Sequence, residues 1–296
     1  MRVDKRPCPP FPLPSGQEFR CSDGHRISYY EYPPHPQKTA TGINLVVLHG
    51  IQSHAGWYSG SCREFSNLGH RVLALTRRGS GIDQVHRGDT PGWRRLVLDI
   101  QEFLLDQQLK RPGGTWVLMG ISWGGKLAAA LASRCPDLIE GLALVCPGIE
   151  PKVGLGFFTR LKILFSRLLR PSSLFPIPLD DPGFFTGKPD WQEYIRQDPF
   201  SLRKATARFL VESVRLDLWL RMQSRGWKVP TFLLLAGQER IVDSALTRTR
   251  IEGWAEGPIA VREYPEANHT LEFEGPEIPW VEDTQVWLEQ IAAPVS

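Results

Sequence analysis

Cysteine is scarce in this sequence, and the few cysteines are scattered. None of the five belongs to a C-x-x-C pair, and none stands beside closely spaced histidines. An odd, dispersed set argues against a disulfide framework and against a zinc site, and it is typical of a reducing compartment. We therefore expect neither structural disulfides nor a bound metal. The five residues are Cys8, Cys21, Cys62, Cys135 and Cys146.

Net charge is low, and long apolar runs are missing. A formal charge of +3 on 296 residues, with no dense run of lysine and arginine, argues against nucleic-acid binding. No apolar run reaches the length of a membrane-spanning helix. Residues 1–16 carry charges and then prolines rather than the apolar centre of a signal peptide. We therefore expect a cytoplasmic protein.

The sequence does contain an ordinary globular composition and an alternation of buried strands with helices. Hydrophobic residues make up 42% and charged residues 23% of a chain long enough for a large apolar core. Continuous apolar runs indicate strands buried on both faces, and the helical spacing of apolar residues over 92–109 indicates a crossover helix. This order predicts an α/β fold with a mostly parallel central sheet and helices on both faces. The apolar runs are Ile43–Leu48, Arg71–Leu75, the segment that begins at Thr115, Leu142–Val145, Thr231–Ala236 and Ile259–Tyr264.

The alternation is interrupted over residues 151–225, which show helical patterns and prolines but no convincing buried strand. Phe157–Leu169 has one broad apolar face with basic residues among its members. Asp198 before Pro199 predicts the start of a helix that runs to about Met222. We therefore expect a helical insertion in a single core. The predicted parts are a proline-rich arm (1–17), a core (18–150 and 226–296) and the insertion (151–225).

The segment Thr115–Gly124 carries the most specific chemical pattern. A strand-like run ends in Gly120–Gly124, which reads Gly-Ile-Ser-Trp-Gly, and an alanine-rich helical segment follows at Lys126. A G-x-S-x-G pattern alone arises by chance in about one sequence in ten of this length at average residue usage. Between a buried strand and a helix it indicates a nucleophile elbow, whose strained turn projects the serine above the sheet. Ser122 is therefore the candidate nucleophile.

A serine nucleophile needs a histidine base. Hydrolases with this elbow place the acid and then the histidine after the serine in the chain. Of the seven histidines only His269 follows the elbow, just beyond the predicted strand Ile259–Tyr264. Loops at the carboxyl ends of parallel strands meet at one edge of the sheet, so His269 is expected to reach Ser122. His269 is the candidate general base.

Two carboxylates compete for the third position. Glu239 and Asp243 both follow the predicted strand Thr231–Ala236, and either could bond the imidazole nitrogen that faces away from the serine. Glu239 is closer to the end of the strand. Asp243 has the commoner residue type, but an aspartate is also favoured near the N-terminus of a helix. The residues alone leave both candidates open.

Acyl transfer also needs two backbone N–H groups aimed at the oxyanion. One is expected from Trp123, the residue after the nucleophile, and the other from Ile51, in the loop after the strand Ile43–Leu48. The side chain of His49 in that loop is expected to stabilise the turn.

Together these motifs resemble the α/β-hydrolase superfamily, and within it the group of monoacylglycerol lipases, lysophospholipases and serine aminopeptidases. The family's oxyanion loop reads roughly H-G-x-x-x-H-x-x-x-Y, to which His49–Tyr58 is similar. The resemblance implies the α/β-hydrolase fold with a helical cap inserted after the strand that follows the elbow helix, which assigns residues 151–225 to the cap. It extends from about residue 18 to the end of the chain and rests also on Arg78–Gly81, the elbow, Gly237–Asp243 and Asn268-His269.

The chain departs from the family at two positions. Thr76 stands where the family usually has the aspartate of D-x-R-G-x-G, near the sheet rather than the chemistry. The family's acid typically precedes Arg-Ile-Val, and here that place is filled by Glu239. The resemblance therefore favours Glu239 as the acid, with Asp243 as the alternative, and glutamate is the acid in other members of the superfamily.

The motifs and the resemblance predict a serine hydrolase without cofactor. It would cleave an ester of an apolar acyl group through an acyl-enzyme, as carboxylesterases, monoacylglycerol lipases and lysophospholipases do. The expected partner is a small-molecule ester, with at most weak contact between the cap and a membrane surface, and the sequence leaves the oligomeric state open.

Two alternatives remain open at this point. A serine aminopeptidase or amidase would need a carboxylate in the cap to hold the amine of its substrate. A non-enzymatic ligand-binding protein would keep the fold without the chemistry. The carboxylates available to bind an amine are Asp180, Asp181, Asp190 and Glu193.

Overall fold

The part of the chain that the computed structural model describes, residues 12–222 and 226–292, contains ten strands and eight α-helices. Residues 1–11 of the predicted arm and 223–225 of the predicted insertion lie outside the described residues, as do 293–296. The strands are β1 (Gly16–Arg20), β2 (Arg26–Tyr32), β3 (Ile43–Leu48), β4 (Arg71–Leu75), β5 (Thr115–Ile121), β6 (Gly141–Val145), β7 (Leu174–Pro176), β8 (Lys204–Thr206), β9 (Thr231–Ala236) and β10 (Ile259–Tyr264). The helices are α1 (Ser59–Asn67), α2 (Trp93–Lys110), α3 (Trp123–Arg134), α4 (Phe157–Leu169), α5 (Pro189–Gln197), α6 (Ala207–Met222), α7 (Ser244–Trp254) and α8 (Trp280–Ala292).

Eight of the strands form one sheet, in the order β1-β2-β4-β3-β5-β6-β9-β10. β2 is antiparallel to both of its neighbours, and all the other neighbouring strands are parallel. β3, β4 and β9 are buried along their whole length, which is why they read as continuous apolar runs. The predicted mostly parallel α/β sheet is confirmed.

The chain reverses its direction across the sheet between β3 and β5. α1 connects β3 to β4 toward one edge, whereas α2 and α3 lead to β5 and β6 in the opposite direction. Because crossovers between parallel strands are right-handed, helices that advance in opposite directions cover opposite faces. The carboxyl ends of β3 and β5 therefore lie at a topological switch point, which is where open α/β sheets form their ligand crevice.

The segment between β6 and β9 adds a second layer of helices. It contains α4, α5 and α6 together with a short antiparallel ribbon formed by β7 and β8. α6 packs against α3, the helix that starts at the elbow, and α4 packs against α6. The insertion thus lies against the elbow helix, while the division of the chain into core and cap units stays a prediction.

Asp198 does not start a long helix, and this part of the sequence prediction is wrong. It follows the last residue of α5, and α6 begins only at Ala207. The Asp198 carboxylate instead accepts hydrogen bonds from Trp57 Nε1 at 2.7 Å, Ser201 Oγ at 2.8 Å and His54 Nε2 at 3.1 Å. An Asp-Pro pair suits a turn as well as a helix start, and the contacts with Ser201 nearby and with His54 and Trp57 after β3 decide between the two. The sequence reasoning also missed α5 and the ribbon.

The glycine after Ser122 allows the elbow helix to start directly against the end of β3. A Cβ added at Gly124 would lie 2.6 Å from the carbonyl oxygens of both Leu48 and His49. These are backbone atoms in a buried strand and its loop, so they cannot move aside at low cost. The second glycine of the elbow pattern is therefore required by a close approach of two backbones.

We expect Gly124→Ala to lower the free energy of unfolding by about 3 kcal/mol, because overpacking at this contact forces the backbones apart. The matched control is Gly253→Ala in α7, where an added Cβ meets nothing within 4 Å. That change should leave stability unaltered or raise it by up to about 1 kcal/mol, because alanine favours a helix. Urea unfolding of the three proteins measures both effects, and a Gly124→Ala protein as stable as the wild type would contradict the close approach.

Candidate active site

Ser122 occupies a strained backbone conformation between β5 and α3. Its φ is 52° and its ψ is −122°, in a region that costs a non-glycine residue about 1–3 kcal/mol. The turn is held by a hydrogen bond from the Ser122 N–H to the Val145 carbonyl, and by bonds from the N–H groups of Gly125 and Gly148 to the Ser122 carbonyl. The predicted strained turn is therefore present, and it presents the serine hydroxyl at the carboxyl edge of the sheet.

The loops after β10 and β9 bring a histidine and a carboxylate to this hydroxyl. His269 Nε2 lies 2.9 Å from Ser122 Oγ. His269 Nδ1 donates to Glu239 Oε2 at 2.6 Å. Both His269 and Glu239 are buried. The structure thus joins three candidate residues, far apart in sequence, into one hydrogen-bonded chain with the geometry of a nucleophile, a base and an orienting acid.

Glu239 is held as a carboxylate. Its second oxygen, Oε1, accepts hydrogen bonds from the backbone N–H groups of Ile241 at 2.8 Å and Val242 at 3.2 Å. Burial raises the pKa of Glu239, but His269 and these two backbone donors outweigh burial, so the pKa lies below its ordinary value. The carboxylate is therefore ionised at neutral pH and can stabilise a positive charge on the imidazole.

Asp243, the other candidate acid, has a different place. It is the N-cap residue of α7, and its side chain accepts a hydrogen bond from the Leu246 N–H at 3.0 Å. The residue therefore stabilises the first turn of α7, which is the structural role that its position before a helix suggests. Of the two carboxylates, the structure places Glu239 at the imidazole.

Two backbone donors lie beside Ser122. A Cβ added at Gly50 would be 3.3 Å from Ser122 Cβ, so the loop after β3 passes directly beside Ser122. The Ile51 N–H follows in this loop, and the Trp123 N–H belongs to the first turn of α3, where an N–H has no acceptor within the helix. Neither N–H donates a hydrogen bond to another residue within 12–222 and 226–292. Both are therefore available to an oxyanion.

His49 stabilises the loop with both ring nitrogens. Its Nδ1 donates to the Gly50 carbonyl at 2.8 Å, and its Nε2 accepts from the Arg77 N–H at 3.0 Å. Burial lowers the pKa of His49 well below its ordinary value, and the nearby Arg77 charge adds to the effect. The ring is therefore neutral and fully engaged, with no nitrogen left for the chemistry at Ser122.

Arg77 and Lys126 are buried charged residues at the site that the sequence reasoning did not single out. Arg77 Nη1 donates to the Gly50 carbonyl at 3.1 Å, and its Nη2 donates to the Ile51 carbonyl at 3.0 Å. Lys126 Nζ lies 2.6 Å from Asp217 Oδ1 on α6. The sequence did contain a signal for both residues, namely a charged residue where the apolar pattern predicts burial. Arg77 comes directly after the apolar run of β4, and Lys126 lies within the alanine-rich helix α3.

A cavity of about 610 Å³ opens at Ser122 and extends under the insertion. Its wall is mostly apolar and comes from α4, α6 and the loops on either side of the insertion. Asp217 is the one acidic side chain on this wall among the described residues, and burial raises its pKa although Lys126 counteracts the effect. The apolar residues of the wall include Val153, Ile163, Leu179, Leu210, Val214 and Ile241.

The four carboxylates considered as amine-binding groups do not line this cavity. All four are exposed, and none contributes to its wall. Asp181 caps a short 3-10 helix through the Gly183 N–H at 2.8 Å. The others are Asp180, Asp190 and Glu193.

One group of potential metal ligands comes together in the described part of the chain, formed by Cys21, Asp99 and Glu102. Arg78 Nε donates to Asp99 at 2.8 Å and Arg95 Nη2 donates to Glu102 at 2.8 Å, so guanidinium groups already neutralise these carboxylates. Burial raises the pKa of Cys21 to about 12, which keeps its thiol protonated at neutral pH. The group therefore fits an ion-pair network better than a metal site.

Comparison with known proteins agrees with this architecture. A family model described as serine aminopeptidase, S33, matches residues 41–276. A monoglyceride lipase of Homo sapiens is 23% identical over 254 residues, which cover 84% of this chain and 83% of that protein. A monoacylglycerol lipase of Mycolicibacterium smegmatis is 24% identical over 289 residues, which cover 93% of this chain and 96% of that protein.

A solved structure extends the likeness to the fold. A soluble variant of the monoglyceride lipase from Saccharomyces cerevisiae, in complex with a substrate analog, superposes with a TM-score of 0.83 at 16% identity. The superposition covers 96% of this chain and 98% of that one, which shows the α/β-hydrolase fold for nearly the whole chain. Because the family model also spans most of the sequence, this protein belongs to the serine aminopeptidase S33 family of α/β-hydrolases.

Proposed function

We propose that this protein is a serine hydrolase that cleaves an ester of an apolar acyl group through an acyl-enzyme. The observation that carries the proposal is the hydrogen-bonded chain of Ser122, His269 and Glu239 at the opening of a largely apolar cavity. The relatives that are named as a monoglyceride lipase and a monoacylglycerol lipase support an ester as the substrate.

In the first half of the reaction, Ser122 Oγ attacks the ester carbonyl while His269 Nε2 takes the hydroxyl proton. The Glu239 carboxylate holds the Nδ1–H tautomer of the imidazole and stabilises its positive charge. The N–H groups of Ile51 and Trp123 bind the oxyanion of the tetrahedral intermediate. His269 then gives its proton to the leaving alcohol as the carbon–oxygen bond breaks, which leaves an ester between the acyl group and Ser122.

In the second half, water replaces the alcohol. His269 Nε2 takes a proton from the water as the oxygen attacks the acyl carbonyl, and the same two N–H groups bind the second oxyanion. Collapse of this intermediate returns the proton to Ser122 Oγ and releases the carboxylic acid. The cavity holds the acyl chain throughout, and its volume falls within the range of about 300–1,000 Å³ that small-molecule sites show.

Aminopeptidase activity is the second candidate, because the family description names it. An aminopeptidase must hold the positively charged amine of its substrate next to the scissile carbonyl. Asp217 is the acidic side chain available on the cavity wall in the described residues, and its charge is already balanced by Lys126. The pair leaves no unbalanced negative charge for an amine, so we favour the ester.

We expect the wild-type protein to hydrolyse p-nitrophenyl esters with a kcat/KM that rises by up to about fourfold per added methylene until the cavity is full, because each buried methylene contributes about 0.8 kcal/mol. Aminoacyl p-nitroanilides should be poorer substrates than these esters. Initial rates across a series of acyl chain lengths measure the trend, and a preference for the anilides would favour the aminopeptidase.

Ser122→Ala is the nucleophile variant for the same assay. It should lose at least about 10⁴-fold in kcat and all labelling by a fluorophosphonate probe. Ser133→Ala in α3 is the matched control. The Ser133 hydroxyl donates to the Ala129 carbonyl of the same helix, so its removal should leave both kcat and labelling unchanged. If the wild-type protein is not labelled at neutral pH, the protein is better described as a ligand-binding member of the fold.

Glu239→Gln should lower kcat by about 10³- to 10⁴-fold with little change in fold, because a neutral amide neither fixes the imidazole tautomer nor stabilises its charge. Asp243→Asn should leave kcat unchanged, since asparagine caps a helix about as well as aspartate. Steady-state kinetics of the two variants separate the roles. A large loss of turnover in Asp243→Asn alone would make Asp243 the acid.

We also propose that α4 makes weak contact with an anionic membrane surface. None of the helices within the described ranges is both long and apolar enough to cross a bilayer. On α4, however, Phe158 is 84% exposed, Phe165 70% and Leu168 83%, and basic residues lie between them. An exposed apolar face with basic residues is the composition of a helix that lies in the membrane interface. α4 also lines the cavity, so this contact would bring its opening toward lipid.

The protein should co-sediment with phosphatidylglycerol-containing vesicles more strongly than with pure phosphatidylcholine vesicles. The double variant Phe158→Ser, Leu168→Ser should reduce the bound fraction by about tenfold, because it removes two exposed apolar side chains that membrane binding would bury in the lipid interface. Leu109→Ser is the matched control, since Leu109 is 83% exposed at the end of α2. Absence of wild-type binding to both kinds of vesicle would remove the proposal.

A further inference from the structure

Arg77 is a buried arginine without a carboxylate partner. It lies in the turn after β4, and no salt bridge joins it to an acidic side chain among residues 12–222 and 226–292. Its hydrogen bonds go mainly to two backbone carbonyls of the loop after β3, those of Gly50 and Ile51, and its Nε has no partner. A buried charge is costly unless it is hydrogen-bonded. Two of the three side-chain hydrogen bonds of Arg77 go to this one loop, and the third goes to Ser80 Oγ at 3.4 Å.

The Gly50 carbonyl and the Ile51 N–H belong to the same peptide group. Because this group is planar and trans, the carbonyl and the N–H point in opposite directions, and a donor that holds the carbonyl also sets the direction of the N–H. The carbonyl accepts from Arg77 Nη1 at 3.1 Å and from His49 Nδ1 at 2.8 Å. A charged donor on the oxygen also draws electron density away from the nitrogen, which strengthens the N–H as a donor.

The same guanidinium contacts the residue that carries the second donor. Its carbon lies 4.8 Å from the centre of the Trp123 ring and 5.3 Å from that of Phe209. The Trp123 ring is also fixed by a hydrogen bond from its Nε1 to Ser213 Oγ at 2.8 Å. Arg77 thus joins the loop that carries the Ile51 N–H to the first residue of α3.

Arg77 keeps its charge at the pH of the reaction. Burial lowers its pKa to about 9, below that of an exposed guanidinium but above neutrality. The adjacent Arg78 differs, because it forms salt bridges with Asp99 and Asp23, both at 2.8 Å. Two neighbouring arginines therefore have separate roles, and Arg77 alone contacts the oxyanion loop.

We propose that Arg77 is a positioning residue of the oxyanion hole. Through its hydrogen bond to the Gly50 carbonyl it orients and polarises the Gly50–Ile51 peptide group, and through its contact with the Trp123 ring it fixes this peptide relative to α3. This role rests on the proposed serine-hydrolase function. It predicts an effect on the transition state rather than on the binding of the ester, because the oxyanion exists only after Ser122 has attacked.

Arg77→Met keeps an apolar stem against the Trp123 ring and removes the charged donors. We expect kcat for a medium-chain p-nitrophenyl ester to fall about 10- to 100-fold while KM changes less than about threefold, because the Ile51 N–H remains but loses its orientation. Arg77→Lys keeps the charge with a single donor group, so it should recover part of the loss.

Two measurements separate positioning from general loss of structure. The affinity for an alkyl boronic acid, which forms a tetrahedral adduct with a serine, should fall by the same factor as kcat/KM, whereas binding of an uncharged alkyl alcohol of the same chain length, which carries no oxyanion, should be unchanged. Arg78→Met is the matched control. It breaks the salt bridges with Asp99 and Asp23, and it should lower the melting temperature without lowering kcat of the folded protein.

The outcomes are distinct. Wild-type kcat and boronate affinity in a folded Arg77→Met protein, or equal losses of kcat in Arg77→Met and Arg78→Met, would overturn the role of Arg77 and leave the hydrolase intact. If Arg77→Met does not fold, Arg77→Lys decides, because full wild-type activity with one donor group would also contradict it. A wild-type protein that hydrolyses no ester would overturn the proposed function and this role with it.

Discussion

The strained turn at Ser122 is the constraint on which the rest of the site depends. Its φ of 52° is maintained because β5 is hydrogen-bonded between β3 and β6, and because Gly124 lets α3 begin against the end of β3. The turn holds the hydroxyl at the carboxyl edge of the sheet, where the loops after β3, β9 and β10 also lie. The geometry of the hydrogen-bonded chain of Ser122, His269 and Glu239 therefore depends first on a backbone conformation, and each partner residue needs only to reach a point that the sheet has already defined.

Three charged groups are buried near this edge of the sheet, and each forms hydrogen bonds or an ion pair with other residues of the site. Glu239 bonds His269 and two backbone N–H groups, Arg77 bonds two carbonyls of the loop after β3, and Lys126 pairs with Asp217. Buried charges of this kind add little to stability and are strongly destabilising when one partner is removed. Their concentration at one edge, against an otherwise apolar sheet, is what a preorganised reaction site requires.

The predictable parts of the fold and site are those with a local signal. β3, β4 and β9 are buried on both faces, so their apolar runs were readable, and chain order after the elbow was enough to single out His269. The sequence alone could not tell whether Glu239 or Asp243 is the acid, because both follow β9 in one loop. The difference lies in the donor that each carboxylate meets in the folded chain: His269 Nδ1 for Glu239 and the Leu246 N–H for Asp243. Asp198 was misassigned for the same reason: its partners Trp57 and His54 lie far away in the chain.

Outside the insertion, the sequence by itself determined the order of strands and helices, the position of the strained turn and the residue types present at the site, because periodicity and turn preferences act over a few neighbouring residues. Only the tertiary structure decided which groups meet. His269 reaches Ser122 from 147 positions away, and the carbonyl that Arg77 holds belongs to a loop 27 positions earlier. Such pairings depend on the sheet order, which sets side by side the ends of strands that are distant in sequence, and no local pattern records that adjacency.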